Sequence, residues 1–196
     1  VLGLIVAIIK ILADENKYLK IPSKICDIYT TVVRGTPVAL QLFIMVFVIL
    51  AIPGVKEYAV ILTFGINSGA YVSENIRAGI LSVDKGQTEA GRSLGLSQMQ
   101  TMFKIVVPQA IKNVIPAIGN ELIALVKETA IVSIVGSTVG TLTFELNKSM
   151  EVISKYLGGS YLAPSILVGL LYLIIVYSIT LLIKIIEKRL RASDKR

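Results

Sequence analysis

From Tyr161 to Ile183 the chain carries no charged side chain, and other long apolar runs precede this one. A run of that length spans the roughly 30 Å hydrocarbon core of a bilayer, which takes about 20 helical residues. In water so many contiguous apolar side chains would need a core larger than 196 residues can build around them. Composition agrees: 54% of residues are hydrophobic, 17% are charged, and the mean hydropathy is +0.76. The chain therefore reads as an all-α membrane protein.

The net charge of +7 does not point to nucleic acid, because a basic nucleic-acid-binding domain would not also carry these runs. There is no histidine, which removes the commonest metal ligand and general base, and Cys26 is the only cysteine. Zinc sites, Ser-His-Asp catalysis and an intrachain disulfide are excluded, and neither a metal site nor a catalytic residue is expected.

Five spans are expected. Val1 to Leu12 is apolar but short, and the chain opens inside it without an initiator methionine; it reads as the truncated end of a first helix. A second helix is expected from Pro37 to about Ile52, with Thr36 as its N-cap and Pro37 at the first helical position, and Pro53-Gly54 ending it. A third covers Tyr58 to Ile80. The fourth apolar region, Ile105 to Leu142, exceeds one span, and Pro108, Pro116, Gly136 and Gly140 allow it to bend or end early. The last covers Tyr161 to Ile186. The whole chain, 1–196, forms a single transmembrane domain in this reading, with a polar loop at about 82–109.

Lysine and arginine alternate between the connections. Lys10, Lys17, Lys20, Lys24 and Arg34 fall in the first, Lys56 alone in the second, and Arg77, Lys85, Arg92, Lys104 and Lys112 in the third. In the fourth, Lys148 and Lys155 are offset by Glu145 and Glu151, and the tail adds Lys184, Lys188, Arg189, Arg191, Lys195 and Arg196. Positive residues are retained in the cytoplasm, so the N-terminus is expected outside, and the polar loop and the C-terminus inside.

In that loop Glu89-Ala90-Gly91 is followed by Gly95, Ile105 and Pro108. Gly95 can take the left-handed conformation that ends one helix, and Ser97 with Gln100 forms a capping box that starts another, which predicts two short helices with a sharp bend. The segment resembles the EAA motif of ABC-importer permeases, with Gly91 where the second alanine is usual and Val107 where leucine is usual. Arg34-Gly35-Thr36-Pro37, Ala70-Tyr71 with Glu74 and Arg77, Pro108-Gln109-Ala110, Gly119-Asn120 and Leu125-Val126-Lys127-Glu128-Thr129 extend the resemblance to the branch importing polar amino acids.

The resemblance implies a type I ABC importer permease fold in the bacterial inner membrane. It also implies that the bent segment is a coupling helix, in which Glu89, Ala90, Gly91 and Gly95 contact a separate ATP-binding cassette ATPase subunit. Further implied partners are a second permease copy in a homodimer and an extracytoplasmic substrate-binding protein. The chain itself would be no enzyme and would hold no cofactor, ATP being bound by the partner. Gly86 to Ser93 nearly spells a Walker A loop, but Arg92 stands where the lysine belongs and no strand precedes it.

Charges within the spans invite functional readings, since each costs at least roughly 2.5 kcal/mol at the bilayer centre. Glu74 and Arg77, three apart, are expected to neutralise each other. Lys127 can be satisfied by Glu128. Glu121, with Asn120 beside it, lies near the middle of the fourth region, at a depth compatible with Asn67 and Tyr71 on one face of the third. Glu121, Asn67, Tyr71 and Asn120 are the expected substrate-binding residues, and a cavity carboxylate would favour arginine, lysine or histidine. The alternative from residues alone is an ion-coupled carrier or channel independent of ATP. Gly65 with Gly69, and Gly136 with Gly140, form small-xxx-small pairs suited to close helix approach.

Overall fold

The computed structural model describes residues 1–13, 16–52, 54–139 and 146–192. All regular structure among them is helical. The helices are α1 (Leu2–Leu12), α2 (Lys20–Gly35), α3 (Val38–Ile44), α4 (Ala59–Leu81), α5 (Lys85–Ser93), α6 (Gln98–Thr101), α7 (Val107–Glu128), α8 (Val132–Val139), α9 (Leu146–Tyr156) and α10 (Leu162–Ala192). Wide π turns continue α3 over Met45–Ile49 and join α6 to α7 over Met102–Val106.

Among the described residues only α10 is long and apolar enough to cross a membrane by itself; α2 and α3 pass the same test as a pair, sharply bent at their break. α1 is apolar but shorter. α4 and α7, of 23 and 22 residues, have the length to span, and their polar residues dilute their hydropathy.

Several boundaries differ from the sequence reading. Lys20–Gly35, read above as part of a connection, is a helix. Ile21, Ile25, Ile28 and Val32 form its exposed apolar stripe, and Cys26 and Thr30 are buried on another side. The next helix starts one residue later than expected, because Pro37 takes an extended, N-cap conformation (φ −61°, ψ 134°) and α3 begins at Val38. Thr36 does not cap it: its hydroxyl oxygen accepts from the Gln41 amide instead. The fourth region runs through Pro116 as one helix before a 3-10 turn at Thr129–Ile131 leads into α8. Pro53 and Gly140 lie outside the described residues.

The chain divides into two compact units. The first comprises Val1–Val32, Ser68–Glu121 and the segment from Leu182. Small residues let its helices approach closely: a Cβ at Gly69 would lie 2.9 Å from Tyr29 Oη and 3.0 Å from Leu2 Cδ2. Gly69 therefore serves packing within the subunit, whereas Gly65 has nothing within 4 Å. The second unit, Val33–Asn67 and Leu122–Leu181, packs Leu42, Val46, Ala59, Val132 and Val135 into a buried cluster.

Candidate functional site

The segment between α4 and α7 is built by local capping. Asp84 accepts from Gly86 N at 2.6 Å and starts α5. At its other end Gly95 N donates to Arg92 O at 3.0 Å and Leu96 N to Gly91 O at 3.2 Å, with Gly95 at φ +81°. That pair of bonds around a left-handed residue is a Schellman motif, and it satisfies carbonyls the helix end would otherwise leave open. Two residues later Ser97 N donates to Gln100 Oε1 at 2.8 Å while Gln100 N donates to Ser97 Oγ at 3.3 Å, so the capping box opens α6. The result is an elbow whose arms fold against each other.

The four motif residues do not share one side of this elbow. Glu89, Ala90 and Gly95 are exposed, but Gly91 is buried between the arms. A Cβ at Gly91 would lie 2.7 Å from Thr101 Cγ2 and 2.8 Å from Ile105 Cδ1, so this glycine sets how tightly the elbow closes.

Behind the elbow, α7 packs against the end of α4 within the first unit. Gly79 of α4 faces Val114, Asn113 donates to Ser82 Oγ at 2.9 Å just past α4, and Gln109 donates to Gln87 Oε1 of α5 at 3.2 Å. Along their own helices, Tyr71 precedes Gly79 on α4 by about two turns and Glu121 follows Val114 on α7 by about two turns. Both are half-buried, and Asn120 is exposed.

Asn67 belongs to the second unit and is buried there. Its Nδ2 donates to Gln41 Oε1 at 3.0 Å. The Gln41 amide nitrogen in turn donates to Val33 O at 2.7 Å, Thr36 O at 3.1 Å and Thr36 Oγ1 at 2.8 Å. Val33 O and Thr36 O are carbonyls that the break between α2 and α3 leaves without helical donors, and the two N–H bonds of the amide are shared among the three oxygens. Asn67 thus holds the residue that seals the break, a role the sequence reading missed because Gln41 lies 26 positions away.

The charged pair on α4 forms as expected: Arg77 Nη2 lies 3.0 Å from Glu74 Oε2. It has a partner that the sequence reading did not anticipate. Lys10, counted above with the first connection, sits in the last turn of α1 with its ammonium 2.5 Å from Glu74 Oε1 and 2.8 Å from Asp27 Oδ1. Among the described residues no group of histidine, cysteine, aspartate and glutamate side chains could hold a metal ion.

These features can be set beside known proteins. The family described as binding-protein-dependent transport system inner membrane component matches residues 1–192. A protein of Rickettsia bellii that carries the name of a glutamine transport system permease is 40% identical over 196 residues, covering 98% of this chain and 84% of the relative. The arginine transport system permease protein of Bacillus subtilis is 41% identical over 177 residues, covering 87% and 76%. A crystal structure of an amino acid ABC transporter with histidines superposes with a TM-score of 0.82 at 35% identity, covering 96% of this chain and 83% of that one. With the helical fold, the bent segment and these likenesses together, the chain belongs to the binding-protein-dependent inner membrane components, as an ABC importer permease of the polar amino acid family with the type I fold, a membrane subunit that is not itself an enzyme.

Proposed function

We propose that this permease carries basic amino acids inward by alternating access, powered by ATP that a separate cassette ATPase binds and hydrolyses. The observation that carries the reading is the elbow: its Schellman end falls on Gly91 and Gly95 of the EAA pattern, and its capping box at Ser97 and Gln100 lies between Gly95 and Ile105. Two permease copies pair on two ATPases, and an extracytoplasmic binding protein delivers the substrate. The N-terminus faces outward, and the elbow and the C-terminus face the cytoplasm, an orientation that the alternation of lysine and arginine supports. Glu89, Ala90 and Gly95 meet the ATPase, while Gly91 fixes the closure of the arms behind them. Closure of the ATPases pushes on the elbow and the spans rock.

Glu121 is the substrate carboxylate in this reading, with Asn120 and Tyr71 as further substrate residues. Asn67 contributes through Gln41 by fixing the break after α2, rather than by offering its own amide. The arginine relative and the solved transporter with histidines support a basic substrate; the relative named for glutamine makes the charge of Glu121 the decisive test. Glu121→Gln is expected to lower uptake of arginine at least about tenfold, the effect of about 1.4 kcal/mol, and to lower glutamine uptake far less. Equal uptake of arginine before and after the change removes Glu121 from the substrate site.

The transport reading itself is tested in lipid vesicles holding the permease with and without the ATPase. Uptake that needs both ATP and the ATPase supports it. Uptake driven by an ion gradient alone would establish the ion-coupled alternative.

A further inference from the structure

Four charged side chains meet in the first unit, and they come from three helices: Lys10 from α1, Asp27 from α2, Glu74 and Arg77 from α4. Glu74 uses its two oxygens separately. Oε2 accepts from Arg77 on its own helix at 3.0 and 3.1 Å, while Oε1 accepts from Lys10 at 2.5 Å. The Lys10 ammonium also bridges to Asp27 and donates to Thr30 Oγ1 at 3.2 Å, so a single cation joins all three helices. Its side chain is 10% exposed and that of Glu74 15%, against 56% for Asp27 and 40% for Arg77.

Neutralising Glu74 does not require Lys10, because the Arg77 pair within α4 already does so. What Lys10 adds is a connection. In the same unit α1, α2 and α4 approach closely at Gly69, which lies against Leu2 and the Tyr29 hydroxyl. A well-shielded cation with three oxygen partners fixes their register, since displacing it leaves buried charge unpaired. The α4 helix ends at Leu81, and α5, the first arm of the elbow, starts at Lys85.

We propose that Lys10 is a positioning residue for transport: it ties α1 and α2 to α4, so that a push on the elbow moves three helices as one body. The inference rests on the elbow reading given under Proposed function. Without the tie, α4 would shift or bend alone, and ATP would be spent without a full change of access.

The test uses the complete transporter in vesicles, with uptake and ATP hydrolysis measured together. Lys10→Met leaves the Glu74–Arg77 pair in place and is expected to keep assembly and hydrolysis while lowering uptake per ATP about fivefold or more, the lower range of typical coupling energies. Lys10→Arg, which can still bridge two carboxylates, is expected to restore most of the ratio. Asp27→Asn removes only the half-exposed arm and is expected to lower it less. An unchanged ratio in Lys10→Met overturns the proposal, as does a parallel fall of hydrolysis and uptake. Should Lys10→Met fail to assemble, an unchanged ratio in Asp27→Asn overturns it. Failure of the elbow reading would look different: Gly95→Val would then keep both ATPase association and uptake, whatever the Lys10 variants do.

Discussion

Replacing Gly95 by valine is expected to cut ATP-dependent uptake at least about tenfold while the chain stays in the membrane. Space is not the obstacle, since a Cβ at Gly95 would meet no atom within 4 Å. The obstacle is the backbone. At φ +81° a β-branched residue is strained by about 1–3 kcal/mol. Relaxing that strain breaks the bonds from Gly95 N and Leu96 N that close the end of α5. The elbow population then falls by roughly a factor of ten for each 1.4 kcal/mol. Asparagine tolerates the left-handed region, so Gly95→Asn is expected to retain most of the activity. Vesicle uptake and co-purification of the ATPase measure both variants; equal losses in the two would show that the dihedral angle is not what matters.

The second large effect is expected from Gln41→Leu, with a loss of about 2–4 kcal/mol in stability. The leucine withdraws the donor from Val33 O and Thr36 O and the acceptor from Asn67. Both carbonyls lie on half-buried residues at a helix break, where Gln41 supplies the donor that the helix does not. The thermal midpoint of the purified permease is expected to fall by roughly 5–15 °C. Gln41→Glu, which keeps an acceptor for Asn67 but loses the amide donors, is expected to be nearly as damaging. A midpoint within about 2 °C of the parent in Gln41→Leu would mean that the break satisfies its carbonyls in another way.

The elbow was readable from the chain because each of its parts is local. Gly95 ends one helix through its own torsion angles, and Ser97 starts the next through a side chain three residues from its partner. The α2 helix was missed because Lys20, Lys24, Asp27 and Arg34 break up its hydropathy. The signal was still present in the spacing of Ile21, Ile25, Ile28 and Val32, which falls on one helical face.

Other features had no local signal at all. Gly91 was assigned to the outer contact together with Glu89 and Ala90, and its burial follows only from Thr101 and Ile105 folding back over it. Lys10 meets Glu74 across 64 positions, and Asn67 meets Gln41 across 26.

By itself the sequence determined the apolar spans, the bend at Gly95 and the absence of histidine chemistry, because hydropathy, torsional preference and capping act within a few residues. Only the tertiary structure decided which polar groups inside the membrane satisfy one another. A buried lysine or amide accepts any nearby partner of suitable charge and reach, and packing of distant helices determines which one is near.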